Sequence, residues 1–305
     1  MLAALTLSSP AVSPAEARHK AKSSSTLSYK RLTNPSRTKV YEGGKWVATF
    51  TDGSRTVTLA GPGRTFAEPT AADPVRSVEW VRLYDKPFDG RVDTAWLKAA
   101  RQDTSPDVLA TAMQYIAGAP QRVSSDGLVI AGDADYGPLQ ADGTRQEGSD
   151  FNAYLGVGWT YGATYDSPES SQYGALDCSG FVRMVFGYRH GLPVSLTQVQ
   201  GALPRRSAQQ EAYGPGTIVI ANTGEQATSL AKLAAGDLVF FDAESDDGTA
   251  IDHVGIFLGR DAAGRYRFIS SRKTPNGPTL GDEGARSVLD GSGYYATAFG
   301  SVRRA

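Results

Sequence analysis

Runs of β-branched and aromatic residues near the start of the chain predict β-structure. Two such runs, 46–50 and 55–60, lie on either side of Asp52-Gly53. Both residues of that dipeptide tolerate positive φ, so the pattern predicts a β-hairpin. A further strand is predicted at 77–84, in a stretch bounded by two prolines. The first third of the chain is therefore expected to contain short, sequential strands.

The hydrophobic spacing then changes to that of helices. Residues 93–101 predict a short helix, and the sequence T-S-P-D at 104–107 predicts the start of another, with a hydroxyl cap and a proline in the first turn. An apolar stripe continues this second helix to Ile116. From residue 151 onward a helical pattern precedes several β-runs. That order is typical of an α+β domain whose helices pack on one side of an antiparallel sheet.

A chain of 305 residues is long enough for a main domain and a smaller accessory region. Its first 17 residues contain a short apolar piece and then A-E-A, the form of a signal-peptidase site; a disordered terminus is the alternative. The predicted division is a signal-peptide remnant at 1–17, a basic linker at 18–45, an accessory region at 46–120, a connecting segment at 121–150 and the main domain at 151–305.

Composition and charge exclude several classes of function. Hydrophobic residues make up 40% of the chain, which supplies enough apolar area for packed cores. A net charge of −1 gives no general attraction to nucleic acid. No apolar run approaches the roughly 20 residues that a membrane-spanning helix needs, so we expect no membrane span. The basic segment 18–45 is interpreted as a solvated tail, or as a weak adhesive for an anionic envelope polymer.

The chain has a single cysteine, Cys178, so an intramolecular disulfide is impossible. The apolar residues that follow it have helical spacing, which places Cys178 in the first turn of a helix. Unpaired N–H groups there favour an anion and should lower the thiol pKa. The alternative is that Cys178 is a small, inert core residue.

A reactive thiol needs a base, and the chain has three histidines. His19 lies in the basic segment, and His190 follows the helix that Cys178 begins, where a capping role is expected. His253 instead begins a run with strand character, and it follows another predicted strand at 236–241. A lone histidine at the start of a strand is more often structural than catalytic, so neither Cys178 nor His253 is decisive alone.

Three motifs in order are more specific than either residue. They are D-C-S-G-F-V at 177–182, G-D-L-V-F-F at 236–241 and H-V-G-I at 253–256. This pattern resembles that of the NlpC/P60 family of cell-wall cysteine peptidases, and the resemblance covers 151–305. It implies a papain-like α+β core and a secreted or cell-envelope peptidase that hydrolyses peptidoglycan stem peptides between γ-D-glutamyl and a diamino acid. An SH3-like wall-binding module is then one interpretation of the N-terminal region.

The resemblance also implies roles for individual residues. Cys178 would be the nucleophile and His253 its base, and neither a metal nor an organic cofactor would be needed; we expect a monomer. The family places a third polar residue in a segment like F-I-H-A-S, where this chain has F-I-S-S-R at 268–272. Ser270 would therefore orient His253, although a hydroxyl is a weaker orienting group than an imidazole or an amide.

Substrate contacts are expected from residues close to these motifs. Asp177 and Ser179 would hold a substrate amine, with a helix-capping role as the alternative for Asp177. The family's Y-x-W-G-G resembles W-T-Y-G-A at 159–163. Trp159 and Tyr161 would thus line the cleft or else pack in the core. Arg272 would pair with a substrate carboxylate or lie in a solvated loop.

Two other functions remain open from the sequence. The same fold could carry an amidase or acyltransferase, but in permuted relatives that act on lipids the histidine precedes the cysteine. In this chain Cys178 precedes His253 by 75 residues, which favours the peptidase. A non-catalytic wall-binding protein is the second alternative, and the serine at position 270 is the feature that supports it.

Overall fold

A computed structural model describes residues 26–244 and 248–305. The predicted signal-peptide remnant at 1–17 lies outside the described residues, as does His19. None of the described helices is both long and apolar enough to cross a membrane.

The N-terminal region is a five-stranded antiparallel sheet whose strands follow in sequence order. The predicted hairpin is present, and Gly53 in its turn has a φ of 76°. Residues 27–42 form two strands, contrary to the predicted linker, because side chains such as Thr38 and Val40 are buried while the intervening basic residues project outward. The strands are β1 (Leu27–Leu32), β2 (Arg37–Glu42), β3 (Lys45–Thr51), β4 (Thr56–Phe66) and β5 (Val75–Leu83).

Two short helices and a small hairpin follow the sheet. The first helix begins after Asp93, whose carboxylate accepts hydrogen bonds from two N–H groups of the first turn. The second is capped by Asp107 rather than by the hydroxyl of Thr104, because the Asp107 carboxylate accepts from the Ala110 N–H and also binds Arg64. These elements are α1 (Thr94–Gln102), α2 (Val108–Ala112), β6 (Arg122–Val123) and β7 (Val129–Ala131).

The helical part of the main domain starts at residue 151. Asp177 caps the helix that begins with Cys178, and the chain continues beyond that helix as a π-helical segment, Arg183–Tyr188. Gly180 is required there, since an added Cβ would lie 2.2 Å from the carbonyl oxygen of Ser149. The elements are α3 (Phe151–Leu155), β8 (Trp159–Tyr161), β9 (Thr164–Asp166), α4 (Cys178–Val182) and α5 (Ser207–Tyr213).

A six-stranded antiparallel sheet completes the domain. The order of its strands is β10-β15-β11-β12-β13-β14, so the final strand is inserted between two earlier ones. Its elements, with the helix before the last strand, are β10 (Thr217–Ile220), β11 (Leu238–Phe241), β12 (His253–Arg260), β13 (Tyr266–Arg272), β14 (Gly277–Thr279), α6 (Tyr294–Ala298) and β15 (Phe299–Arg304).

The second sheet has a hydrophobic cluster on each face. Val254 and Ile256 of β12 join the cluster that contains Phe181 of α4. Phe257, the residue after Ile256, points to the other face and joins the cluster that contains Tyr295 of α6. The prediction of an α+β fold, with the cysteine-bearing helix packed on an antiparallel sheet, is confirmed. Helices nevertheless contact both faces, because α6 covers the side opposite α4.

The two sheets share buried contacts. Val75 and Val81 of β5 belong to the same core cluster as α4. The buried carboxylate of Glu68 accepts hydrogen bonds from the Thr279 hydroxyl, at 2.7 Å, and from the Leu280 N–H, at 2.9 Å. The N-terminal sheet is thus packed against the main domain and supports β12, the strand that begins with His253.

Candidate active site

Cys178 is the first residue of α4 and its side chain is buried. Its Sγ atom lies 3.9 Å from the carbonyl oxygen of Asp252, and the N–H of Val254 is directed at the sulfur. These two backbone groups flank His253 in the sequence. The fold therefore brings the sulfur to the start of β12, the strand that begins with His253.

His253 is buried among aromatic rings at the start of β12. Its ring centroid lies 5.7 Å from that of Phe241 and 5.5 Å from that of Tyr295. The Nε2 atom is buried and has no hydrogen-bond partner among the residues that the structure describes. A buried nitrogen without a partner is unfavourable, so this atom is available to accept a proton during a reaction.

Two adjoining cavities connect the cysteine and the histidine. Cys178 lines one of about 490 Å³ and His253 lines one of about 310 Å³. Either alone is small for a peptide, but together they are of the size usual for ligand sites. The ammonium of Lys273 also binds two carboxylates on their common rim, Glu147 at 2.8 Å and Glu244 at 3.1 Å. The residues that line both cavities are Tyr136, Glu147, Glu244 and Asp252.

Burial determines the resting protonation of the two groups. It raises the pKa of the Cys178 thiol, and the negative charge of Asp177 raises it further. It lowers the pKa of His253 to about 3, and the positive charge of Arg272 acts in the same direction. The sequence-based expectation of a lowered thiol pKa is therefore wrong, because desolvation outweighs the helix N-terminus. At neutral pH the Cys178 thiol and the His253 imidazole are therefore both uncharged.

The pH dependence of alkylation tests this protonation state. We expect the rate of reaction of Cys178 with iodoacetamide to rise through a midpoint above roughly 8.5, the pKa of a free thiol. The rate at each pH is measured by mass spectrometry of the intact protein. The same protein unfolded in denaturant is the control, since its sole cysteine should then react with an ordinary midpoint. A midpoint below 7 in the folded protein would instead indicate a preformed thiolate.

Asp177 and Ser179, the expected amine-binding residues, are both occupied by Arg205. The guanidinium donates to Asp177 Oδ2 at 2.6 Å and to Ser179 Oγ at 2.7 Å. Although burial by itself raises the pKa of Asp177, Arg205 and the N–H groups of Gly180 and Gly148 hold that pKa below its usual range. Asp177 also caps α4, which is the helix-capping role considered for it as the alternative from the sequence.

Ser270 and Arg272, two further expected site residues, bind each other. The Ser270 hydroxyl accepts a hydrogen bond from Arg272 Nε at 3.0 Å. Arg272 is 2% exposed, so it is not the solvated basic side chain expected from the sequence. Its guanidinium carbon lies 4.2 Å from the centroid of the Tyr295 ring, at the wall of the His253 cavity. The exposed cations that line the two cavities are Lys273 and Arg206.

Comparison with known proteins agrees with these motifs. Residues 156–277 match the model of the NlpC/P60 family. The chain contains an NlpC/P60 domain. A search of curated proteins gave no match.

Two solved structures resemble the chain only distantly. One is a protein of Staphylococcus aureus described as similar to lipoprotein, NLP/P60 family. It shares 19% identity, with a TM-score of 0.29, over 73% of this chain, and the chain spans 50% of its length. The other is NlpC1 of Trichomonas vaginalis, with 10% identity and a TM-score of 0.32 over 93% of this chain and 90% of that protein. These scores are low, so the assignment depends on the matched family model and the motifs.

The hairpin of the NlpC/P60 domain places Trp159 and Tyr161 away from the cysteine. The Trp159 ring packs edge-on against Phe151, with centroids 5.0 Å apart. The Tyr161 hydroxyl accepts a hydrogen bond from Arg183 at 2.7 Å. Neither residue lines the cavities of Cys178 and His253, so the expectation that they form the wall of this cleft is corrected. Trp159 therefore packs in the core, and Tyr161 binds the buried side chain of Arg183.

Two residues of the NlpC/P60 site were not expected from the sequence. Tyr136 lines both cavities, and its hydroxyl lies 3.4 Å from a carboxylate oxygen of Glu147. Arg205 is the second. Both lie in segments without hydrophobic periodicity, and neither belongs to a motif, so only the fold brings them to Cys178.

The other described histidine has a structural environment. His190 Nε2 lies 2.9 Å from the hydroxyl of Thr111 in α2, so it contacts a neighbouring helix. This contact differs from the capping role expected for it. Burial lowers the pKa of His190 to about 4. His253 is thus the described histidine whose sequence neighbours contact the Cys178 sulfur through their backbone groups.

Proposed function

We propose that the protein is a cysteine peptidase that hydrolyses amide bonds in peptidoglycan stem peptides, between γ-D-glutamyl and the diamino acid. Membership of the NlpC/P60 family supports a cell-wall hydrolase function. The observation that carries the proposal is the position of the Cys178 sulfur, at the start of α4 and against the backbone groups on both sides of His253. An extracytoplasmic location follows from such a substrate.

The resting protonation suits general-base catalysis. Neutral His253 would accept the thiol proton as the sulfur of Cys178 attacks the carbonyl carbon. The developing oxyanion would be stabilised by backbone N–H groups at the start of α4. Protonated His253 would then donate its proton to the departing amine, which leaves a thioester. Water would add to the thioester with His253 again as base, releasing the acid product and the free thiol.

The low pKa of His253 has a cost and a benefit in this scheme. A weakly basic imidazole takes the thiol proton less readily, which slows the first step. Once protonated, it is a strong acid and transfers its proton readily to the leaving amine. Entry of a polar substrate into the two cavities would also change the local solvation that sets both pKa values.

Digestion of purified muropeptides tests the proposal. We expect product pairs whose masses add to that of the substrate plus one water, with cleavage after the γ-D-glutamyl residue. The control is the same protein alkylated at Cys178, its sole cysteine, which should give no products. Products that retain an acyl group on another amine or alcohol would indicate an acyltransferase. Unchanged muropeptides that still bind the protein would contradict the peptidase and favour a wall-binding role.

A further inference from the structure

The imidazole of His253 is held by aromatic contacts. Its ring lies against Tyr295 with an angle of 32° between the ring planes, and against Phe241 with an angle of 47°. Within residues 26–244 and 248–305, its Nε2 atom has no hydrogen-bond partner. The position of this ring is therefore set by packing, and not by a polar acceptor at Nε2.

Tyr295 also contacts a buried cation. The guanidinium carbon of Arg272 lies 4.2 Å from the centroid of the Tyr295 ring, well within the range of a cation–π interaction. Tyr295 itself is 8% exposed, and its ring also meets Phe241 and Phe268 edge-on. One tyrosine ring thus joins the imidazole to Arg272.

Arg272 is fixed by hydrogen bonds from each of its three nitrogens. Nε donates to the Ser270 hydroxyl, Nη1 to the Ala285 carbonyl at 2.8 Å and Nη2 to the Ser287 hydroxyl at 2.6 Å. A guanidinium held in this way cannot reorient without leaving buried donors unpaired. Ser270 therefore acts on the arginine, and through it on the tyrosine.

We propose that Arg272 and Tyr295 are the positioning residues of His253, and that Ser270 serves to hold Arg272. Tyr295 fixes the orientation of the imidazole by packing against it, and the nearby positive charge of Arg272 adds to burial in disfavouring its protonation. The inference concerns the resting protein, and it rests on the proposed function only for its effect on turnover.

The charged groups around His253 agree with this assignment. After burial, Arg272 is the largest influence that lowers the pKa of His253, and Lys273 adds to it, whereas Asp177 opposes it. The hydrogen bonds of Arg272 go to two hydroxyl groups and one carbonyl. Because these acceptors are uncharged, they do not neutralise the charge of the guanidinium. The remaining titratable groups of the two cavities are Tyr136, Glu147, Cys178, Arg205, Arg206, Glu244, Asp252 and Tyr294.

Histidine NMR tests the proposal without any need for activity, because the chain has only three histidines. In the wild-type protein we expect the His253 signals not to titrate between pH 8 and 5. In Arg272→Met the His253 pKa should rise by at least about one unit, since the nearby cation is lost. In Tyr295→Leu its ring resonances should shift and broaden, whereas Tyr295→Phe should keep the wild-type spectrum. His190 serves as the internal control.

Several results would overturn the proposal. An ordinary midpoint near 6.5 for His253 in the wild-type protein would do so even if Arg272→Met fails to fold. Equal His253 midpoints in folded Arg272→Met and wild type would do so as well. If muropeptides are cleaved, the acid limb of the kcat profile should move upward in Arg272→Met. If they are not cleaved but the NMR shifts occur, the peptidase proposal fails while the positioning of His253 stands.

Discussion

Replacing Cys178 with alanine should reduce the turnover of muropeptides by at least ~10³-fold, because no other group can form the thioester. The reaction would then depend on the residual effects of binding and of the oxyanion-stabilising N–H groups alone. The measurement is the initial rate of product formation at saturating substrate, followed by mass spectrometry or chromatography. Binding of the intact muropeptide should change little, since the sulfur is a small part of the cleft.

A matched control is available in the sheet against which α4 packs. Ser301 on β15 is also small and buried, and its Oγ has no hydrogen-bond partner. Ser301→Ala should therefore retain wild-type turnover, and both variants should unfold within about 1 kcal/mol of the wild type. Full activity in folded Cys178→Ala would show that the chemistry does not use this thiol.

The parts of the site that could be predicted from the sequence are those with local signals. Asp52-Gly53 specifies its turn through backbone conformation, so the hairpin it joins was correctly predicted. Cys178 and His253 each begin an element with clear periodicity, and their motifs follow in a fixed order. Local pattern therefore predicts Cys178 and His253 as a pair, and the fold places the Cys178 sulfur against the backbone on both sides of His253.

The parts that could not be predicted depend on contacts distant in the sequence. The segment 37–42 has the high basic charge typical of a linker, but it forms a strand. Its basic side chains alternate with buried ones, and the number of charges alone does not show this alternation. The direction of the Cys178 pKa shift could not be predicted from the sequence of α4 alone. The thiol is buried against the start of β12, and this burial raises its pKa. Ser270 lies in the expected segment, but the sequence does not show that Arg272 takes up its hydroxyl.

Arg205 shows most clearly what the fold adds. Its guanidinium binds the carboxylate that precedes the nucleophile and the hydroxyl that follows it. Consequently, a substrate ammonium could reach Asp177 only by displacing a cation that is already in place. Asp177 and Ser179 are therefore not expected to select the substrate amine while Arg205 holds this position.

Arg205→Met should destabilise the protein by about 3 kcal/mol at pH 7, because it leaves the buried carboxylate of Asp177 without its cation. In the wild type the folded-state pKa of Asp177 is below its usual value of 3.8, so this group stabilises the fold above that pH and the contribution is lost as pH falls through the folded pKa. In the variant, burial should raise the Asp177 pKa, and protonation then relieves the penalty. The difference in stability should thus be largest near neutral pH and should shrink toward pH 4.

Denaturant unfolding of both proteins at pH 7, 5 and 4 measures this difference. Arg206→Met is the matched control, since Arg206 is the adjacent residue and is exposed. It should change the free energy of unfolding by less than about 0.5 kcal/mol at each pH. A penalty in Arg205→Met that stays constant from pH 7 to 4 would show that the arginine contributes packing alone. A penalty that falls with pH would show that the charge of Asp177, beside the nucleophile, is what Arg205 neutralises.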